Sequence, residues 1–369
     1  MPTNLGNLTL KTFLELVTID SPSRHEGKIR QHLIQRLETL DIVTETDAAG
    51  NLLGRLAATK GFEHAPALVI NCHMDTVPNA SKVKPVVTAG YVYSDGTTAL
   101  GADDKAGLAA TLTALNTLQN EQLPHGPIVI LFTVAEEIGL EGAKAFDVKK
   151  LGSIERGYTL DSSGPVGTVI VSAPSKSDAT IVFHGKAAHA GISPEKGISA
   201  ISLAARAIDK MQLLRIDHET TANIGMIHGG TVNNIVPDRC EISLEVRSAT
   251  KEQVHAHFAH MELCCIKASN DFGGSYDFKT TARYPGYKLD EKEPVLSAFR
   301  AVCEKLQLPY AGRPSGGGSD ANIFQNKGIP IITLGIGYEG AHTLQESIAI
   351  QELENLTRLL ITLCAPQEN

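Results

Sequence analysis

Four apolar runs set the pattern of this chain, and each closes on a carboxylate or an imidazole: Ala67-Leu-Val-Ile-Asn-Cys-His-Met-Asp75, Pro127-Ile-Val-Ile-Leu-Phe-Thr-Val-Ala-Glu-Glu137, Gly157-Tyr-Thr-Leu-Asp161 and Ile329-Pro-Ile-Ile-Thr-Leu-Gly-Ile-Gly-Tyr-Glu-Gly-Ala-His342. Continuous runs of this kind predict strands buried on both faces. Between them, Lys105 to Gln119 keeps apolar residues at 106, 108, 109, 112 and 115, a helical spacing with one buried face. Residues 9–19 and 25–40 also read as helices, the second opening after the turn Ser21-Pro-Ser-Arg-His-Glu26. Strands near 42–46 and 51–57 are joined by Ala48-Ala-Gly-Asn51, a hairpin-type turn, and Pro78–Thr98 reads as a polar, glycine-containing excursion. Strands alternating with helices predict an α/β fold whose mostly parallel sheet is sandwiched by helices. Ligands of such sheets bind beyond the carboxyl ends of the strands. The pattern therefore directs His73, Asp75, Asp103, Glu136, Glu137, Asp161 and His342 toward one region.

From about Pro174 the pattern changes. Ala179–Gly185 alternates like a half-exposed strand, Ile198–Met211 and Lys251–Asn270 are helical, and Thr221–Ile227, Arg239–Arg247 and Ser275–Arg283 are strand-like. The order βαββαβ predicts a two-layer α+β domain inserted in the first. The expected boundaries are 1–173 with 284–369 for the larger domain and 174–283 for the insert. A length of 369 residues fits two domains at roughly 100–200 residues each.

Composition narrows the partners. The net charge is −8 and no basic run occurs, which argues against nucleic acid or an anionic membrane surface. No apolar stretch approaches the ~20 residues of a membrane span. Met1–Lys11 has neither the basic nor the apolar region of a signal peptide. Six cysteines without CxxC spacing point to a reducing, cytoplasmic setting, with Cys72 expected as an inert buried thiol. His255, His257 and His260 lack an i, i+4 pair and are expected on a solvated helix face, as are His25 and His32 on surface segments.

Asp103 and Asp104 fall where a loop turns into a helix, and capping alone would place acidic residues there. Capping does not account for the remaining acids. Asp103, Glu136, Glu137 and Asp161 would bring four negative charges into one cleft, and like charges ~4 Å apart repel by about 4 kcal/mol per pair at an effective dielectric near 20. Two divalent cations would neutralise them. Imidazole and carboxylate donors together suit zinc, with cobalt or manganese as the other candidates. His73 and Asp75 lie two apart on a strand and face the same way, so Asp75 is expected to orient the imidazole from behind.

These residues resemble the cocatalytic di-zinc metallopeptidases, the family that includes peptidase T, glutamate carboxypeptidase, aminoacylase and succinyl-diaminopimelate desuccinylase. The resemblance runs over nearly the whole chain. It is strongest toward peptidase T-like members, through Gly101-Ala-Asp-Asp-Lys-Ala-Gly107 and Tyr158-Thr-Leu-Asp-Ser-Ser-Gly164. It implies a zinc exopeptidase-like catalytic domain with an inserted lid and dimerisation domain. It implies that His73, Asp103 and Asp161 bind one zinc and Asp103, Glu137 and His342 the other, with a cis peptide after the bridging Asp103. Glu136 becomes the general base, taking a proton from a metal-bridging water and later protonating the leaving amine.

The resemblance further gives His189, in Gly185-Lys-Ala-Ala-His-Ala-Gly191, the role of an oxyanion donor reaching into a partner's site, hence a homodimer. Asn234, in Gly230-Thr-Val-Asn-Asn-Ile-Val-Pro237, Arg247 and the loop Gly316-Gly317-Gly318-Ser-Asp320 are given to substrate anchoring, with Asn233 an equal candidate for the asparagine role. The implied activity is exopeptidase cleavage of short peptides, as in a tripeptide aminopeptidase. An N-acyl amino acid amidohydrolase of the same fold is the alternative.

Two readings lie further off. Gly335-Ile-Gly-Tyr-Glu-Gly340 matches G-x-G-x-x-G after an apolar strand, which would suit a dinucleotide-binding oxidoreductase. A complete βαβ unit, however, needs a further strand with an acidic residue at its end, and the chain closes with helix-like Leu353–Cys364. A binding protein that had lost catalysis would be expected to lack Glu136 or a metal ligand, and neither is missing.

Overall fold

The computed structural model describes residues 4–366. The chain forms two compact units. One takes the chain up to Val171, Leu289–Ser315 and the residues from Ser319 onward; the other takes Ser172–Lys288 with Gly316–Gly318. The first stretch carries α1 (Leu5–Val17), α2 (Gly27–Glu38), β1 (Val43–Thr46), β2 (Leu52–Leu56), β3 (Ala67–His73), β4 (Pro85–Thr88), β5 (Tyr91–Ser94), α3 (Ala102–Asn120), β6 (Ile128–Thr133), α4 (Glu141–Ala145), β7 (Ile154–Ser162) and β8 (Thr168–Ala173). The second unit carries β9 (Ser175–His184), α5 (Ala200–Lys210), β10 (Leu214–Arg215), β11 (Thr221–Gly229), β12 (Arg239–Ser248), α6 (Lys251–Phe272), β13 (Ser275–Tyr284) and β14 (Tyr287–Lys288). The first unit then resumes with α7 (Pro294–Leu306), β15 (Ala311–Pro314), α8 (Asp320–Asn326), β16 (Ile331–Gly335), β17 (Tyr338–Glu339), β18 (Ser347–Ala349) and α9 (Ile350–Cys364).

In the first unit the main sheet runs β1-β2-β6-β3-β7-β16-β8, with β15 also on β8. It is parallel at its centre, where β3 pairs with β6 and β7 and β16 pairs with β7, and antiparallel toward both edges. The α/β class expected from the apolar runs is the one observed. Helix α3 packs with α1 and α9 and is buried on nearly every side rather than on one. Its alanines allow close approach, and Thr113 and Thr117 return their hydroxyls to the carbonyls of Ala109 and Thr113 at 2.8 Å, so their burial leaves no unmet donor.

Three local expectations differ from the structure. Helix α1 starts at Leu5, not at residue 9, because Leu5 is itself part of the core. The excursion after Pro78 contains the hairpin β4–β5, which joins β18 and β17 in a small sheet. The glycine motif does not begin a helix: Tyr338–Glu339 within it forms β17, which pairs with β18, so the dinucleotide-binding unit is not built.

The second unit is an antiparallel sheet in the order β10-β11-β12-β9-β13. Residues alternate strictly on β9 and β12, and their inward set, including Ile181, Phe183, Ile242 and Val246, packs on Leu203, Phe258 and Met261 of α5 and α6. A Thr250–Gln253 capping box starts α6. On that helix His255 is exposed, but His257 is buried against expectation, with its Nε2 3.1 Å from the Gln212 carbonyl. The link between α5 and β10 meets that side of α6, with the Gln212 N–H also donating to His260 Nε2 at 3.3 Å.

Candidate metal centre

Parallel pairing brings the carboxyl ends of β3, β6 and β7 to one edge of the sheet. His73 ends β3, in register with Thr133 at the end of β6. Beyond Thr133 the chain turns through Ala135, at φ 53°, and presents Glu136 and Glu137. A non-glycine residue in that region costs about 1–2 kcal/mol, so the turn must be held by its surroundings. Asp161 lies one residue before the end of β7. His342 lies in the link between β17 and β18, at φ 67°, with its carbonyl accepting from Asn79 Nδ2 at 2.9 Å.

Asp103 stands between two groups of side chains. Its Oδ1 is 2.9 Å from His73 Nε2, and Asp161 Oδ1 is 3.7 Å from the same nitrogen. Its Oδ2 is 3.4 Å from His342 Nε2, which lies 3.0 Å from the Glu137 carboxylate. His73, Asp103 and Asp161 thus form one set, and Asp103, Glu137 and His342 another, with the potential ligand atoms of each within 4.8 Å of one another. Nitrogen and oxygen donors in two three-member sets fit a pair of divalent cations. The Asp103-Asp104 peptide is cis, as the resemblance implies.

Electrostatics support the same assignment. Burial, and then the Asp103 charge, push Asp161 up to about 8, and burial also raises Glu137. His342 is held up at about 10 by Asp103 and Glu137. Burial favours a neutral His73, yet Asp103, Asp161 and Asp75 together raise it well above its usual value. Asp103 lies below its ordinary range because His342 and His73 outweigh the burial that opposes its charge. Such a cluster holds protons in the places where cations would otherwise balance its charge. Burial and the Asp161 charge raise Glu136 well above an ordinary carboxyl.

Further carboxylates hold the chain around the cluster. Glu346, which the sequence did not mark, is buried and accepts the N–H groups of Leu100, Gly101 and Asp103 at 2.9, 2.8 and 3.2 Å. Asp104 accepts the His73 N–H and the Gly107 N–H, both at 3.1 Å. Asp75 differs from expectation in how it acts. The His73 Nδ1–H donates to the Asp75 main-chain carbonyl at 2.9 Å, which frees Nε2 to ligate, while the carboxylate stands 3.6 Å from the ring. That carboxylate accepts instead from Ser23 Oγ at 2.6 Å and from the N–H groups of Glu136 and Glu137 at 2.9 and 3.2 Å. Asp320 was expected in a substrate loop but is buried beside Thr133 and Asn71. Most of these contacts join residues far apart in sequence, as between Glu346 and Leu100, Asp104 and His73, Asp75 and Glu136, and Asp320 and Thr133, so no local pattern announces them.

The second unit brings His189 and Asn234 together. Ala190 N–H donates to the Asn234 carbonyl at 3.0 Å, and His189 pairs with Ile235. His189 is exposed, and its Nδ1 accepts from the N–H groups of Gly191 and Ile192, each at 3.2 Å. In the neutral ring this leaves Nε2–H as an outward donor. Arg247 is engaged within the chain: Nε meets Glu245 at 2.9 Å, and a terminal nitrogen donates to the Gly316 carbonyl at 3.1 Å. Gly318 packs so closely on Tyr284 that a Cβ would lie 2.5 Å from the ring, and Gly317 is half-buried beside it.

Residues 69–365 match peptidase family M20/M25/M40, and the chain belongs to that family. It is a metallopeptidase that hydrolyses amide bonds. Its relatives include the uncharacterized protein YqjE of Bacillus subtilis (strain 168), 43% identical over 362 residues and 96% of each chain. Among solved structures it is similar to a tripeptidase from Staphylococcus aureus subsp. aureus mu50, with TM-score 0.92, 39% identity and 97% of both chains covered. It is also similar to aminopeptidase PepT from Bacillus cereus ATCC 10987, with TM-score 0.88, 40% identity, and 97% of this chain and 98% of that one covered.

Proposed function

We propose that this enzyme is a two-metal exopeptidase that removes the N-terminal residue from short peptides, tripeptides foremost, with zinc as the resident metal. The observation that carries this reading is the pair of donor sets sharing Asp103, with the Glu136 segment beside them. Similarity over nearly the full length to a tripeptidase and to an aminopeptidase supports the substrate class. His73, Asp103 and Asp161 would hold one cation, and Asp103, Glu137 and His342 the other. When bound, the cations supply Lewis acidity toward a water and toward the scissile carbonyl.

Glu136 accepts the proton of the attacking water and returns it to the leaving amine. Asp75 keeps His73 in the tautomer that ligates through Nε2 and holds the turn bearing Glu136. His189 offers Nε2–H to the oxyanion, with its tautomer fixed by the Gly191 and Ile192 amides. Asn234, Arg247, Gly317 and Gly318 anchor the peptide.

A homodimer formed through the lid unit would let His189 act in the partner's site. Support comes from β11: beyond Ala222 its outer edge pairs with no strand among the described residues, and Met226 and Ile227 on it are more than half exposed. A cytoplasmic setting is supported by six buried, unpaired cysteines.

The test is mass-spectrometric product analysis on di- and tripeptides and N-acyl amino acids, using protein stripped of metal and reloaded with zinc, cobalt or manganese. Metal-dependent release of the N-terminal residue from tripeptides is expected. Release of acyl groups with intact tripeptides would replace this reading by the deacylase.

A further inference from the structure

Three successive main-chain N–H groups in the turn that carries both glutamates are captured by buried carboxylates. Ala135 N–H donates to Glu26 Oε1 at 3.0 Å, Glu136 N–H to Asp75 Oδ1 at 2.9 Å and Glu137 N–H to Asp75 Oδ2 at 3.2 Å. Glu26 and Asp75 are both buried. Glu26 comes from the far side of the unit in sequence, where α2 begins, and its segment grips the same region at other points. The same Oε1 accepts the Arg24 N–H at 2.9 Å, Ser23 Oγ donates to Asp75 Oδ2 at 2.6 Å, and the Ser21 carbonyl accepts the Thr76 N–H at 2.9 Å.

A buried carboxylate is costly unless hydrogen bonds offset its desolvation, so an apolar residue would serve packing better. What requires an oxygen at Glu26 is the Ala135 N–H, turned out of strand geometry by φ 53°. We propose that Glu26, assisted by Ser23, is a positioning residue for catalysis: it fixes the peptide at Ala135 and thereby aims the Glu136 carboxylate. The Glu26 carboxylate meets the main-chain N–H groups of Ala135 and Arg24 rather than a metal-ligating side chain. It acts through the main chain, where a rotation of one peptide moves the following side chain beyond the ~0.5 Å tolerance of a productive site. The proposal rests on the reading of Glu136 as the proton carrier.

The experiment compares Glu26→Ala, Glu26→Gln and Ser23→Ala in the zinc-loaded enzyme. The readouts are kcat and KM on a tripeptide, metal content, and hydrogen–deuterium exchange of the peptide spanning 133–140. Glu26→Ala is expected to lower kcat ~10–100-fold with both metals retained and exchange raised at 135–137. KM should stay within about twofold. Glu26→Gln retains an acceptor oxygen and should recover kcat to within about threefold of the wild type. Ser23→Ala gives a milder form of the same split and carries the test if Glu26→Ala does not fold. Wild-type kcat in Glu26→Ala, a glutamine variant as impaired as the alanine one, or raised exchange spread over the whole unit would overturn the proposal. A wild-type enzyme inert toward peptides would count against the proposed function instead, and the exchange comparison would still decide on the clamp.

Discussion

Glu136 and Glu137 are neighbours with opposite assignments. Glu137 lies 3.0 Å from His342 within a donor set, whereas Glu136 belongs to neither set. Glu136→Gln should therefore lower kcat by roughly 10²–10⁴ while two metals remain bound. Loss of a metal in that variant, measured by elemental analysis, would move Glu136 among the ligands. Asp320 supports a second prediction. Its Oδ1 is enclosed without a hydrogen-bond partner, and burial raises the group to about 6 despite the Thr133 hydroxyl. The unfolded value is about 3.9, so between about pH 4 and 6 the folded chain holds a proton that the unfolded chain has released. Stability therefore falls as pH rises through that window. Asparagine cannot ionise. Asp320→Asn should thus gain stability relative to the wild type as pH rises from 4 to 7, by on the order of 2–3 kcal/mol, read from urea midpoints of the metal-free proteins. A difference that does not change with pH would contradict this account.

At the scale of elements, the start of α3 shows how a motif residue acts through packing. A Cβ on Gly107 would lie 2.2 Å from Asp104 Oδ1 and 3.0 Å from Leu160 Cβ. Asp104 is the residue that accepts the His73 N–H. Gly107→Ala should destabilise the fold by about 1–3 kcal/mol and weaken metal binding at the His73 set, measured by denaturant midpoint and metal titration. Unchanged values would mean that Asp104 can move without cost. Strands β3, β6, β7 and β16 were legible because each carries a short buried, mainly apolar stretch, Gly157–Leu160 in β7, and their ends placed the acids and histidines. The β4–β5 and β17–β18 pairs were not, since strands of two to four residues with Val86 and Val87 exposed carry no alternation to read. Glu26 and Glu346 escaped for another reason: a buried carboxylate that accepts distant main-chain N–H groups looks in sequence like any surface acid, and the burial of Asp320 against the Thr133 and Asn71 side chains is equally invisible there.

For the whole molecule, the apolar pattern made the ligand types readable one by one, their division into two sets came from the resemblance, and the structure adds which oxygen of Asp103 faces which histidine. The second unit adds a requirement of its own. If His189 completes a partner's site, specific activity should fall on dilution below the dimer's dissociation range, and sedimentation should follow the same curve. A fully active monomer would remove that role. Two cations sharing Asp103 would be seen in anomalous diffraction at the zinc edge from zinc-loaded crystals. Two peaks should flank Asp103, one within about 2.0–2.3 Å of ligand atoms of His73 and Asp161 and one at the same range from Glu137 and His342. A single peak, or zinc bound away from Asp103, would contradict the account.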